Sequence, residues 1–489
     1  MNLGIEPMLL QIGPCLSSQI VKELTKRGLT AAAARKRVSR AKGGIKRLSG
    51  VSFPNRECFL FLDGQFGTAD FLERLCDAFK ESSSSYGRAL VGLAARGGVM
   101  PLQHFPVATG LPVEKAIGQV PHAAVEQKLL DLRLIVRTIG EEGDYVSLWD
   151  HSSSNARRRA AVLVEDITLG MIKPWLIKVG WTSSGVVKVR SPNSLPSFGQ
   201  FRWDLVGPSY LACIRTHRKG KLVNGFILGD ILLDRTVTVE DLRPFMSKWD
   251  VLLHQRRGLQ FQPLIIADRL APEALNQLRA RGCFLAMPAT LFGEEVARQL
   301  SDLVTTVEHA AAAIADNPKV VFDLLSKLAK IEGAALNLRG IVVELMIAHL
   351  FKTQGYEIEI RQQVASESGE RAEIDVKAAN RKEVVCVECK GKGRTSLVNA
   401  AEIRQWLDKP LVRIKSWLKQ TATLPESRRF EFYTSTDYAE DAKELIANIK
   451  ATHINQPISF FNGADIINKL RDHKETALVD IFREQFLAK

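Results

Sequence analysis

No stretch of this chain is long and apolar enough to span a bilayer. Its first residues, MNLGIEPMLLQIGP, lack the basic start and apolar run of a secretion signal. Cysteine is scarce: there are seven, an odd number and scattered, which excludes a disulfide framework and predicts a reducing cytoplasm. There is no P-loop, no dinucleotide fingerprint and no HExxH, so any dependence on ATP has to come from a partner. No low-complexity tract is longer than Ser82–Ser85. Acidic residues are the minority charge, 54 Asp and Glu against 67 Lys and Arg, a formal net charge of +13. That balance favours polyanions, meaning nucleic acid or an acidic membrane surface. What is present is ordinary for a globular protein: 46% hydrophobic and 25% charged residues, in a chain of 489 that predicts two to four domains.

The most informative stretch runs from Ala372 to Lys392. It reads as two strands, Ala372–Ala378 and Val384–Gly391, joined by a short charged turn. On the second strand alternate side chains share a face. Val384, Cys386, Glu388 and Lys390 point one way; Val385, Val387 and Cys389 point the other. A carboxylate and an ammonium on an apolar strand are unfavourable to bury without partners. Asp375 on the first strand is placed to meet them across the hairpin, which assembles oxygen ligands for a hard cation beside a lysine. Cys386 and Cys389 spell C-x-x-C, but on a strand they face opposite sides, which argues against a zinc or redox pair.

Ile374-Asp375, twelve intervening residues, and Glu388-Cys389-Lys390 resemble the PD-(D/E)xK nuclease superfamily, whose fold is restriction-endonuclease-like. Ile374 stands where the family often has proline. Glu344, in LRGIVVELMIAHLF, stands where the family carries a helical glutamate. The resemblance covers residues 333–489. It implies that Asp375, Glu388 and the carbonyl of Cys389 hold Mg²⁺, with Mn²⁺ as a substitute. It implies further that Lys390 orients or deprotonates the attacking water, and that Glu344 binds a second metal or orients Lys390. Lys392 and Arg394, in GKGRTS, follow at the edge of this site.

The predicted architecture is multidomain α/β, with winged-helix domains followed by a degenerate and then an intact restriction-endonuclease-like domain. Residues 1–67 read as a winged helix-turn-helix: Ser17–Lys26 with a Ser cap, a turn at Arg27–Leu29, then Thr30–Ala41 and a hairpin wing. The second helix carries Arg35, Lys36, Arg37 and Arg40, followed by Lys42, cations suited to phosphates and guanine edges. Residues 68–150 read as a second winged-helix-like domain whose third helix, HAAVEQKLLDL, is nearly neutral and suits packing or dimerisation at least as well as DNA contact, with a hairpin turning at Gly140–Gly143.

Residues 151–305 repeat the order of the C-terminal domain: a helix, three strands, helix, strand, helix, strand. Asp204 falls where Asp375 falls. Aligned so, Gly229 replaces Glu388 and Ile231 replaces Lys390, which predicts a nuclease-like domain without the catalytic set. Residues 306–332 read as a helical bridge, broken at Asn317-Pro318.

These readings converge on a cytoplasmic, Mg²⁺-dependent endonuclease acting on DNA. By analogy it serves restriction or defence, as a homodimer or with a defence-system partner protein. Two other readings use the same residues: a DNA-binding regulator or structural subunit with nuclease-like folds, and a repair or recombination nuclease such as a junction resolvase.

Overall fold

A computed structural model describes residues 4–486, except 52, 83, 115–119, 139–143, 152–155, 184, 192–193, 219, 256–259, 317, 330–334, 368–369, 422–423, 426 and 453–457. The hairpin turn expected at Gly140–Gly143 and the break at Asn317 fall outside the described residues. Among the described residues no helix is long and apolar enough to cross a membrane.

The N-terminal part opens with α1 (Ile5–Ile12), β1 (Cys15–Leu16), α2 (Ser17–Lys26), α3 (Ala31–Ser39), β2 (Ile45–Arg47) and β3 (Phe59–Leu62). The three strands pair antiparallel in the order β1-β3-β2. Thr30 caps α3, its hydroxyl accepting the Ala33 N–H at 3.3 Å. Ser17 does not cap α2: Leu16 holds that position, and the Ser17 hydroxyl accepts the Cys58 N–H across the sheet at 3.2 Å. Arg47 closes the other end of α3, donating to the carbonyls of Val38 and Ser39 at 2.9 and 3.1 Å.

Next come α4 (Ala69–Glu81), α5 (Ser85–Ala95), β4 (Val99–Pro101), α6 (Phe105–Thr109), α7 (His122–Asp131), β5 (Ile135–Thr138) and β6 (Tyr145–Leu148). Their strands pair β4-β6-β5. An aromatic cluster seals the two parts together: Phe59 and Phe61 of β3 meet Phe71 of α4 edge-on, at 5.7 and 5.1 Å between centroids.

Two α/β units follow, and their sheets have one topology. The first has α8 (Ala156–Lys178), β7 (Lys188–Val189), a small hairpin of β8 (Ser197–Phe198) and β9 (Phe201–Arg202), then β10 (Leu205–Ser209). A second small hairpin, β11 (Thr216–Arg218) and β12 (Lys221–Val223), leads to β13 (Gly225–Val237), α9 (Arg243–Gln255), β14 (Phe261–Leu270), α10 (Pro272–Ala280) and β15 (Phe284–Ala286). Helices α11 (Pro288–Phe292), α12 (Glu294–Glu308), α13 (Ala310–Asp316) and α14 (Pro318–Ala329) bridge to the second unit.

That unit has α15 (Ala335–Thr353), β16 (Glu357–Ala365), β17 (Arg371–Ala379), β18 (Glu383–Lys390), α16 (Ala400–Asp408), α17 (Pro410–Gln420) and β19 (Ser427–Thr434). It ends with α18 (Glu440–Thr452), β20 (Ile458–Phe461), α19 (Gly463–Asp472) and α20 (Thr476–Phe486). In sheet order the units read β7-β10-β13-β14-β15 and β16-β17-β18-β19-β20. In both, the first two pairings are antiparallel and the last two parallel.

Helix α15 is apolar on nearly every side, because it lies between α8 and its own sheet. One core therefore spans both units, joining Ile167 and Leu169 of α8, Leu345 and Ile347 of α15, and Val385 and Val387 of β18. The opposite face of the second sheet is covered by Trp406 of α16 and Ile414 and Leu418 of α17.

Candidate active site

Strand β18 alternates as its sequence predicts. Val385, Val387 and Cys389 pack towards α15, and Val384 and Cys386 towards α16 and α17. Strands β16 and β17 do not keep their faces. Ile358 and Ile360 lie against the α15 side while Val364 lies in the opposite core; Val376 and Ala378 lie on the α15 side while Ala372 and Ile374 do not. Residues two apart on a regular strand share a face, so both strands reverse. The reversal falls between Ile360↔Val376 and Gln362↔Ile374, at Arg361 and Asp375. Arg361 has φ +55, a left-handed conformation unfavourable for a residue with a Cβ.

The reversal positions the site. The β17–β18 ladder ends at Val376↔Val387. Beyond it the Asp375 carboxylate accepts the Cys389 N–H through Oδ2 at 2.6 Å, replacing the next backbone bond. One position past the last paired residues, Asp375 and Glu388 face each other across the strands. Lys390 Nζ donates to Glu388 Oε1. Asp375 is buried, whereas the Lys390 side chain keeps 34% of its exposure, so the lysine end of the site opens to solvent.

Glu344 projects from the buried helix α15. Arg361 holds both its oxygens, Nε to Oε2 at 2.7 Å and Nη2 to Oε1 at 3.0 Å. Burial first, then the negative charges of Asp375, Glu344 and Glu388, push the Cys389 thiol far up. Cys386 rises to about 12, mainly through burial. Neither thiol is disposed to become a thiolate ligand.

The strand register brings two carboxylates, Asp375 and Glu388, opposite each other. Among the described residues no three His, Cys, Asp or Glu side chains gather to hold a metal. A zinc site needs three or four protein ligands rich in nitrogen or sulfur. Magnesium takes one or two carboxylates and completes its octahedron with water and phosphate. The donor set fits magnesium or manganese and does not fit zinc.

Lys392 is paired with Glu402 of α16, and Arg394 donates to the Glu484 carbonyl of α20. Arg35, Lys36, Arg37, Arg40 and Lys42 lie outside the core, because Ala34 and Val38 turn the other face of α3 inward. Sequence reasoning missed Arg361. The signal available was a cation on the strand preceding the aspartate strand, facing a helical glutamate.

The first unit carries the same arrangement, with one correction to the alignment read from the sequence. Leu205 pairs with Gly229, and the Asp204 Oδ2 accepts the Ile231 N–H at 2.9 Å. Asp204 therefore corresponds to Asp375 and Ile231 to Cys389. The carboxylate position of Glu388 is held by Asp230, not Gly229, and Leu232, not Ile231, stands at Lys390. The difference is one residue, which on a strand exchanges the two faces. A lysine is present after all: Lys248 of α9 reaches Asp230 Oδ2 at 2.5 Å. Arg190 stands at the place of Arg361 and joins Glu165 of α8 at 2.6 Å, as Arg361 joins Glu344.

This second set is sealed: Glu165, Arg190, Asp204, Asp230 and Lys248 are all buried. Burial raises the Asp204 carboxyl, but Arg96 and Arg190 bring it well below the usual range. Burial raises Asp230 and lowers Lys248, each opposed by the other. Beside them His104 is lowered from 6.5 to about 3, by burial and then by the charge of Arg190. An unfolded chain protonates this histidine below pH 6.5, while the folded one does not until about pH 3. The unfolded state therefore binds the extra proton, and stability falls as pH falls through that window, by up to about 1.4 kcal/mol per pH unit. Urea midpoints from neutral pH to pH 4 should show a shallower decline for His104→Leu than for the parent protein. Parallel curves would show that His104 is protonated in the fold.

No family model matches this chain, and no curated protein matches it. Three solved structures do. One is a protein of unknown function, at TM-score 0.21 and 16% identity, covering 30% of this chain and 89% of that one. Another is a repair endonuclease from Pyrococcus abyssi, at TM-score 0.19 and 13% identity, covering 29% of this chain and 51% of that one. The third is the MspJI restriction endonuclease in complex with a 27-mer oligonucleotide, at TM-score 0.19 and 13% identity, covering 36% of this chain and 35% of that one. Likenesses at these scores carry no argument about what the chain does.

Proposed function

We propose that residues 333–489 are a metal-dependent nuclease domain of the PD-(D/E)xK kind that hydrolyses DNA phosphodiesters. The observation that carries this reading is the placement of Asp375 opposite Glu388, with Lys390 on Glu388 and the Cys389 amide on Asp375. Asp375, Glu388 and the Cys389 carbonyl would hold Mg²⁺, which supplies charge neutralisation and an acidified water when bound. Lys390, at the open end, orients the attacking water and offsets charge on the phosphate. Arg361 fixes Glu344 and orders the reversed strands. By the same reading α3 and its exposed arginines recruit DNA, and the protein works in restriction or defence.

The test incubates the purified protein with plasmid, linear and single-stranded DNA and with RNA, with and without Mg²⁺ or Mn²⁺. Metal-dependent cutting of DNA is expected. No cutting of any nucleic acid would leave the regulator reading in its place.

Binding by α3 is tested separately. Replacing Arg35, Lys36, Arg37 and Arg40 with Ala should weaken DNA affinity and flatten its dependence on salt. Each lost phosphate contact removes about 0.9 from the log–log slope. An unchanged slope would move the DNA surface elsewhere.

A further inference from the structure

The duplicate set in the first α/β unit holds an additional cation, supplied by the N-terminal part of the chain. Arg96 ends α5, and its guanidinium enters the unit to meet Asp204, Nη2 to Oδ2 at 2.6 Å and Nη1 to Oδ1 at 3.5 Å. Both residues are essentially without solvent contact, the side chains 2% and 0% exposed. The helix can come this close because Gly92 lies one turn before Arg96. A Cβ there would stand 1.9 Å from the Ala108 carbonyl oxygen and 3.2 Å from Pro244 of α9.

The surrounding charges close in pairs. Arg158 meets Glu165 at 2.8 Å, Arg190 meets Asp166 at 2.9 Å, Lys248 meets Asp230 at 2.5 Å, and Arg96 meets Asp204. Without Arg96 the cluster would carry one uncompensated negative charge in a dry interior, which is strongly unfavourable. Two buried polar atoms nearby have no partner: Asp230 Oδ1 and His104 Nε2. An unpartnered carboxylate oxygen across from Asp204 is a donor ready for a cation.

We propose that the Arg96 guanidinium stands in for the divalent cation of this duplicated site, so that the site binds no metal and instead fastens the N-terminal part to the first α/β unit. The fastening is reinforced around it. Arg243 donates to the Ser82 carbonyl at 2.8 Å, Arg235 to the Ala94 carbonyl at 2.8 Å, and Arg158 to the Val99 carbonyl at 3.0 Å. This inference rests on the proposed metal-site reading of the second unit and on the positions of Asp204, Asp230 and Arg96, and its test reads folding, not DNA cutting.

If a guanidinium replaces a metal, a metal should replace the guanidinium. The experiment uses the full chain with Asp375→Asn and Glu388→Gln, which removes the other candidate metal site. Into that background Arg96→Met is introduced, keeping the apolar stem and removing the charge. Unfolding is followed with Mn²⁺ and with EDTA. The Arg96 protein should be indifferent to Mn²⁺. The Arg96→Met protein should gain stability with Mn²⁺, its folding constant rising about a hundredfold at a hundred times the dissociation constant. Adding Asp204→Asn should abolish that gain. If Arg96→Met does not fold in EDTA, recovery of folded protein by Mn²⁺ is the readout. Indifference of Arg96→Met to Mn²⁺, failure of Mn²⁺ to recover it, or Asp204-dependent Mn²⁺ binding with Arg96 in place would each overturn the proposal.

Discussion

Lys390→Ala is expected to slow DNA cutting by about a hundredfold or more, the usual loss when a positioned electrostatic donor is removed from a hydrolytic site. Lys390 is bonded to Glu388 and partly open to solvent. Removing it leaves both candidate metal carboxylates in place. Asp375→Asn should be as damaging, since one carboxylate is too few for a productive magnesium octahedron. The amide oxygen of the substituted side chain can still accept the Cys389 N–H, so the fold should survive. Affinity for DNA should persist in all these proteins, because the exposed basic residues of α3 lie on a different part of the chain. The measurement is a cleavage gel paired with a mobility shift on the same protein batches. Lys390→Ala cutting at the parental rate would sink the nuclease assignment.

Asp204→Asn should show the converse behaviour. Asp204 is fully buried and receives Arg96 and Arg190. Breaking one partner of such a cluster leaves an uncompensated buried charge and destabilises by about 3–5 kcal/mol. The cutting rate per folded molecule should stay the same. Urea unfolding read beside single-turnover cleavage separates the two effects. A rate loss as complete as that of Asp375→Asn, at equal folded fraction, would mean that the first unit carries the chemistry.

The stretch from Asp375 to Lys390 was legible because strand chemistry is local. Alternation of apolar residues set the faces of β18, and two charged residues on one of those faces stood out. The paired helices and strands of the repeat were legible for the same reason. The register between distant strands was not. Asp204 and Gly229 are separated by an inserted hairpin, and no local pattern counts residues across such a gap. A shift of one residue hid Asp230, and Lys248 was hidden because it comes from α9 rather than from the strand itself. Arg361 was hidden by the strand reversal, since a left-handed backbone at an arginine leaves no compositional mark.

The sequence by itself determined the basic character of the chain, the cationic face of α3, the two α/β repeats, and the acidic and lysine residues of the second. These follow from composition and short-range periodicity, which need no knowledge of what packs on what. Only the tertiary structure decided that the first repeat keeps its own aspartate pair and borrows Arg96 from the end of α5. Charge balance in a buried cluster is set by groups far apart in sequence that meet only when the chain has folded.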